Sequence, residues 1–322
     1  MKRIASKIFV IFCLSALVVA SGDTSARDAS TAKKLEVITT LFPTYDFARQ
    51  VGKDKVNVTL LLPPGIEAHT FEPKPSDIVK INKADIFIYT GKYMEPWVEN
   101  MIKGVSNNRL LVVDASSGIE LMAGGDHDEE GENRNEEDAH GHHHEGIDPH
   151  IWLDPVNVEI MTSTIEKAFV QKDPANSLFY AKNAEEYNAK LADLDNRFKA
   201  AFAGCKHKTI ISGGHFTFGY FTKRYGLEHA SPYEGFSPNA EPTPKALAQL
   251  IDKLKTSGMK YIYYEELLDP KVARTIASET GARLELLHGA HNVSKDELAR
   301  GVTYIDIMED NLKKLKTGLE CK

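Results

Sequence analysis

Asn176-Ser-Leu-Phe-Tyr180-Ala-Lys-Asn-Ala184-Glu-Glu-Tyr187-Asn-Ala-Lys-Leu191-Ala-Asp-Leu194-Asp-Asn-Arg-Phe198-Lys-Ala-Ala201-Phe-Ala-Gly204 is the stretch on which the architecture turns. Its apolar residues Tyr180, Ala184, Tyr187, Leu191, Leu194, Phe198 and Ala201 alternate between spacings of four and three, which marks one stripe along a helix. No proline or glycine interrupts the run before Gly204, so the spacing predicts a single helix over 176–204. At 1.5 Å per residue such a helix would be about 43 Å long, the length of a whole lobe or more. A helix of an ordinary bundle would carry the same stripe. The absence of a flexible linker elsewhere favours a rigid strut between two halves.

Both flanks of this helix have the same style. Upstream, β-rich runs at 36–40, 56–61, 85–89 and 110–113 enclose helical stretches at 43–51, 76–83 and 97–104. Downstream, strands are expected at 208–212, 227–231, 261–264 and 284–287, and helices at 216–225, 244–257, 271–280 and 295–316. The Pro-rich loop 231–244 ends in a helix start, with Thr243 as N-cap and Pro244 at the first helical position. Strand–helix alternation implies a parallel sheet with helices on its faces. The expected fold class is α/β: two lobes, each a parallel-sheet α/β domain, at 35–175 and 205–322, joined by one long rigid α-helix.

Residues 1–22 read as a secretory signal peptide. Lys2, Arg3 and Lys7 precede the short apolar run from Ile8 to Ala20, which ends in small residues suited to cleavage. The run is shorter than the ~20 apolar residues that span a bilayer. Cys13 lacks the small residue that usually precedes a lipidated cysteine, so a free periplasmic protein is expected rather than a lipoprotein. Losing the three signal cations takes the formal net charge from −7 to about −10, which argues against nucleic acid and anionic membrane surfaces as partners. After cleavage Cys205 and Cys321 remain. In an oxidising compartment they point to one disulfide, the alternative being two free thiols.

Two kinds of histidine stand side by side at 126–154. His127, His140, His142, His143 and His144 lie among nine acidic residues between Asp126 and Gly146. This segment has almost no apolar residue to bury and reads as a disordered acidic loop carrying secondary, weaker metal sites. Asp148-Pro-His150-Ile-Trp-Leu-Asp154-Pro155 follows at once and reads as an ordered turn and strand. Three more histidines occupy equivalent places, where strands turn into loops: His69, His215 and His288. Ligands of α/β sheets bind outside the carboxyl ends of strands. One such histidine alone is more often packed or solvated than ligating. Two from each half can converge between lobes, and four neutral imidazoles suit tetrahedral zinc. Manganese or magnesium would want more carboxylate oxygen. Glu67, Asp148 and either Glu265 or Glu266 are the acids expected to orient the imidazoles. His207 and His229 fit no motif and read as surface residues.

The chain resembles the zinc/manganese-type solute-binding receptors of ABC importers, and most of all the zinc receptors (ZnuA-like). The resemblance rests on Leu41-Phe-Pro43, His69-Thr-Phe-Glu-Pro-Lys-Pro-Ser-Asp77 and Asp148-Pro-His-Ile-Trp-Leu-Asp-Pro155. It continues through His215, Phe218-Gly-Tyr-Phe-Thr-Lys-Arg-Tyr-Gly226, Glu241-Pro and Ile276-Ala-Ser-Glu-Thr-Gly281, and covers nearly all of 35–320. It implies two lobes joined by a long helix, one metal between them, and His69, His150 and His215 as ligands. Many members carry an aspartate ligand after the last strand, where this chain has His288. His288, His291 or water can take the fourth place, and His288 is the expectation.

The function expected from this resemblance is high-affinity capture of Zn2+ outside the cytoplasm and delivery to an ABC transporter membrane permease, by a monomer without bond chemistry. A manganese-specific receptor of the same family is the alternative within the class. An exported zinc-dependent hydrolase would need an open coordination position and a general base, and neither H-E-x-x-H nor G-x-S-x-G occurs. A surface adhesin would favour a lipid anchor.

Overall fold

The computed structural model describes residues 33–123, 146–215, 217–233 and 241–322. The expected signal at 1–22 and the loop histidines His127, His140, His142, His143 and His144 lie outside the described residues.

In the N-terminal half, β1 (Leu35–Thr39), β2 (Val56–Leu60), β3 (Ile86–Tyr89) and β4 (Leu111–Asp114) form a parallel sheet in the order β2-β1-β3-β4. The crossovers are α1 (Phe42–Gly52), α2 (Pro75–Ile81) and α3 (Val98–Ile102). Side chains alternate across the sheet as pleating requires. Val37, Ile86 and Ile88 enter the main core, whereas Ile38 and Phe87 face the smaller cluster with Ile81, Val98 and Met101. With both faces covered, the central strand β3, Ile-Phe-Ile-Tyr, is a continuous apolar run rather than an alternating one.

Two helices then run back to back, α4 (Pro155–Lys172) and α5 (Ser177–Ala203). The 27 residues of α5 span about 40 Å at helical rise. Its stripe buries Tyr180, Ala184, Tyr187, Leu191, Leu194, Phe198 and Phe202; Tyr180 meets Phe169 of α4, Tyr187 meets Phe47 of α1, and Phe198 and Phe202 meet Phe221 of the C-terminal half.

That half contains β5 (Thr209–Ile211), α6 (Gly219–Tyr225), β6 (Glu228–Ala230), α7 (Pro244–Ser257), β7 (Tyr261–Tyr264), α8 (Lys271–Thr280), β8 (Arg283–Leu286), α9 (Lys295–Arg300) and α10 (Tyr304–Gly318). The parallel pairs β5-β6 and β7-β8 meet through a parallel bridge between Ser212 and Tyr263. The resulting order, β6-β5-β7-β8, repeats that of the first half. Phe198 of α5 packs edge-on against Phe221 of α6 at 5.0 Å. Arg224 of α6 grips Asp195 of α5 through both carboxylate oxygens, at 2.7 and 2.8 Å, while its Nε also lies 3.2 Å from Asp154. α10 returns to the first half, where Tyr304 donates its backbone N–H to Asp46 at 3.0 Å and its hydroxyl to the Trp152 carbonyl at 2.6 Å.

Cys205 and Cys321 form a disulfide across 116 residues, closing the whole C-terminal half into a loop. A crosslink of that span is worth about 4–5 kcal/mol in the chain-entropy account. No described helix is long and apolar enough to cross a membrane.

Three expectations need correction. The segment after Asp148 is a 3-10 turn, Ile151–Leu153, and not a strand. Asp154 then caps α4 by accepting from the Val156 N–H, with Pro155 at its start. α4 is a helix where the sequence leads to no expected element. The stretch 295–316 is two helices: Gly301, at φ +73°, closes α9, and Thr303 starts α10 with a capping box to Asp306. A left-handed residue ends a helix cheaply only as glycine.

Candidate metal centre

Four histidines converge just beyond the carboxyl ends of the strands. His69 follows β2, His150 follows β4, His215 follows β5 and His291 follows β8. One ring nitrogen from each lies within 4.8 Å of the others. His150, His215 and His291 are buried, and His69 is the partly exposed member. The Nε2 atoms of His69 and His150 are 3.2 Å apart. Nε2 of His215 and of His291 are buried without a hydrogen-bond partner among the described residues. Buried nitrogens without partners are costly in a folded core, and a shared cation would satisfy them. The donor set, four imidazole nitrogens, is one that zinc accepts.

Each loop is shaped by its own carboxylate. Glu67 accepts the backbone N–H groups of His69 and Thr70, at 2.8 and 2.9 Å, and so curls the first loop rather than orienting the ring. Asp148 Oδ1 accepts from the His150 backbone at 2.9 Å and faces its Nδ1 at 2.8 Å. Glu265 Oε2 lies 2.7 Å from His215 Nδ1. Glu266 Oε1 lies 3.0 Å from His291 Nδ1. For His150 and His291 the Nδ1 side is hydrogen-bonded to an acid, leaving Nε2 for the centre, whereas His215 Nδ1 lies close to Glu265 without a hydrogen bond.

His288, expected as the fourth ligand, is outside the cluster, and His291 takes that place. The His288 backbone is clamped by Asn311 of α10, which accepts its N–H at 2.9 Å and donates to its carbonyl at 2.8 Å. Its ring turns back on the loop, so that Nδ1 accepts the Ala290 N–H at 2.9 Å. Ala290 sits at φ +57° and Leu267, just after Glu266, at φ +63°. Left-handed non-glycine residues cost roughly 1 kcal/mol or more each, and both adjoin the last ligand or its carboxylate. His207 and His229 are half-buried and lie outside the histidine cluster found among the described residues.

The loop carrying His291 is fastened to the N-terminal half although it belongs to the C-terminal sheet. Phe42 N–H reaches the His291 carbonyl at 3.3 Å, Gly65 N–H the Val293 carbonyl at 2.8 Å, and Asn292 donates to the carbonyls of Pro63 and Ile66. Trp152 Nε1 donates to the Gly289 carbonyl at 2.8 Å. Three of the four histidines therefore share one frame, and His215 meets them from β5.

Electrostatics keep two of the four rings, His69 and His150, neutral. Burial, with His291 and His215 nearby, lowers His69 to about 2. Burial and the other three histidines hold His150 well below the ordinary imidazole value. Burial lifts Asp148 to about 7 against the pull of the His150 backbone and His291. Burial opposes charge on Glu266 too, but His288 and the hydrogen bond from His291 outweigh it and hold the carboxyl well below the usual range. His291 is raised, because the bond to Glu266 overcomes its own burial. The arrangement offers lone pairs to a cation without first having to shed four protons.

A profile of the family described as zinc-uptake complex component A, periplasmic (ZnuA), matches residues 37–318. The high-affinity zinc uptake system protein ZnuA of Bacillus subtilis (strain 168) is 41% identical over 319 residues, covering 98% of each chain. The zinc-binding lipoprotein AdcA of Streptococcus pneumoniae (strain R6) is 33% identical over 316 residues. That match takes in 98% of this chain but only 61% of AdcA. The crystal structure of the Zn(II)-bound ZnuA-like domain of Streptococcus pneumoniae AdcA matches at a TM-score of 0.74 and 30% identity, over 89% of this chain and 100% of that one. With its two repeated parallel sheets, its long central helix and this coverage, the chain belongs to the zinc-uptake complex component A family.

Proposed function

We propose that this chain is an extracytoplasmic zinc receptor that holds one Zn2+ through His69, His150, His215 and His291 and delivers it to an ABC permease. The observation that carries the proposal is the convergence of four imidazole nitrogens. Two Zn–N bonds of about 2.05 Å at a tetrahedral angle set their nitrogens about 3.3 Å apart, and His69 and His150 present theirs 3.2 Å apart. An all-nitrogen set disfavours manganese, which prefers carboxylate oxygen. Four protein ligands also close the shell, which suits binding and release rather than catalysis. The zinc uptake and zinc binding named for the relatives support the same reading.

In this reading 35–175 and 205–322 act as two lobes, and α5 is a strut that limits how far they separate. The His-rich segment 126–146 supplies secondary, weaker zinc sites. The leader is cleaved and the receptor released without a lipid, a point that mass spectrometry of the mature N-terminus decides. Zinc titration against a competing chelator tests the site. Alanine at His69, His150, His215 or His291 should each weaken binding severely, and His288→Ala should not. Full affinity in all four variants would overturn the proposal.

A further inference from the structure

We propose that Glu266 is the positioning residue that decides which of two neighbouring histidines, His288 or His291, faces the metal. The inference deepens the four-histidine reading and rests on it. Glu266 is buried at the end of β7, beside Glu265. Its Oε2 accepts the Gly289 N–H at 2.6 Å, and its Oε1 accepts the His291 backbone N–H at 3.2 Å while facing Nδ1 of the same residue at 3.0 Å. An ionised carboxylate can only accept, so the ring must donate its Nδ1 proton. The lone pair then sits on Nε2, on the side where the His291 ring lies 5.4 Å from His69, 5.0 Å from His150 and 5.9 Å from His215.

His288 fails the same test. Its Nδ1 is 3.6 Å from the same oxygen, too far for a hydrogen bond, and is turned instead to the Ala290 N–H at 2.9 Å. One carboxylate thus sorts two rings three residues apart. Glu265, the adjacent residue, has its Oε2 2.7 Å from His215 Nδ1, but of the two only Glu266 hydrogen-bonds a ring of the cluster. Carboxylates hydrogen-bonded to ligating histidines typically matter 10- to 100-fold in metal affinity.

The test is a double-mutant cycle on the full chain, with Zn2+ affinity from chelator competition and Co2+ absorption as the probe of coordination. Glu266→Gln should weaken zinc about 10- to 100-fold and move the Co2+ spectrum towards that of His291→Ala. Glu266→Gln combined with His291→Ala should bind no more weakly than His291→Ala alone, because the carboxylate acts through that ring. Glu266→Asp keeps the charge but withdraws it by one methylene. It should shift affinity in the same direction and serves if the glutamine variant does not fold. Wild-type affinity in a folded Glu266 variant, or losses that multiply in the double variant, overturns the inference. If His291→Ala itself binds zinc as the wild type does, the four-histidine reading falls instead.

Discussion

The indole N–H of Trp152 donates to the carbonyl of Gly289 at 2.8 Å across 137 residues of chain. This bond ties the segment of the second ligand to the loop of the last one. The fully buried ring also stands edge-on to His150 at 5.5 Å and His291 at 5.3 Å. Trp152→Phe keeps an aromatic wall but strands a buried carbonyl. It should cost about 2 kcal/mol in denaturant unfolding of the metal-free protein, and zinc affinity should drop several-fold with it. Unchanged stability and affinity would show that the two loops are held by other contacts.

Close packing makes Gly213 a second lever on the site. A Cβ there would lie 2.5 Å from both Cα and Cβ of Ala273 in α8, so either the strand end or the helix must move. Because His215 lies two residues on, Gly213→Ala should displace that one ring while leaving the frame of His69, His150 and His291 in place. Zinc affinity should fall by at least tenfold, with His150 and His291 NMR signals little changed. A variant that binds normally would mean that α8 yields without moving the ligand.

Proton release on zinc binding separates a pre-neutralised site from a charged one. His69 and His150 are held low by burial, so they carry no proton to lose at pH 6. The groups with elevated values are His291, paired with Glu266, and Asp148, at about 7. Calorimetry at pH 6 in buffers of different ionisation enthalpy should therefore find roughly one to two protons released per zinc, not four. Affinity should decline on acidification with a correspondingly shallow slope. A release near four would contradict the electrostatic picture.

Acid stability should be governed in part by the joint between α5 and α6. Burial opposes charge on Asp195, but Arg224, Lys199 and Tyr225 outweigh it and hold the carboxyl at about 2, against 3.8 as the ordinary value. The folded state thus binds this proton less readily than the unfolded chain. The contribution is present above about 3.8 and is lost as pH falls towards about 2. Asp195→Asn should lower stability at pH 7 by about 2 kcal/mol and flatten the acid limb of the stability curve between pH 4 and 2. A curve parallel to the wild type over that range would remove Asp195 from the account.

Legibility followed periodicity. α5 is readable because its stripe, from Tyr180 to Ala201, repeats over about six turns, and α7 because Thr243 and Pro244 sign its start; the Thr243 side chain does accept the Ala246 N–H. α4 carried signals too: Asp154-Pro155 at its head, then Val158, Met161, Thr162, Ile165, Ala168 and Phe169 buried at helical spacing. Val156, Val158, Ile160, Thr162 and Thr164 also alternate in the manner of a strand. β-branched residues lean that way, and packing against α1 and α5 overrode the lean. Among the acids, Asp148 Oδ1 lies 2.8 Å from His150 Nδ1 and Glu265 Oε2 2.7 Å from His215 Nδ1. Glu67 serves the backbone instead, and Glu266 proved to be the partner of the last histidine.

The sequence by itself determined the α/β alternation, the long helix, three of the four converging histidines and the pair of cysteines, because each is written in a local spacing or a short motif. Only the tertiary structure decided between His288 and His291. Both stand in an irregular loop, where no helical or strand period says which way a side chain faces. The choice falls to groups far away in the chain: Asn311, which clamps the backbone of His288, Trp152, which holds Gly289, and Glu266, whose carboxylate hydrogen-bonds Nδ1 of His291.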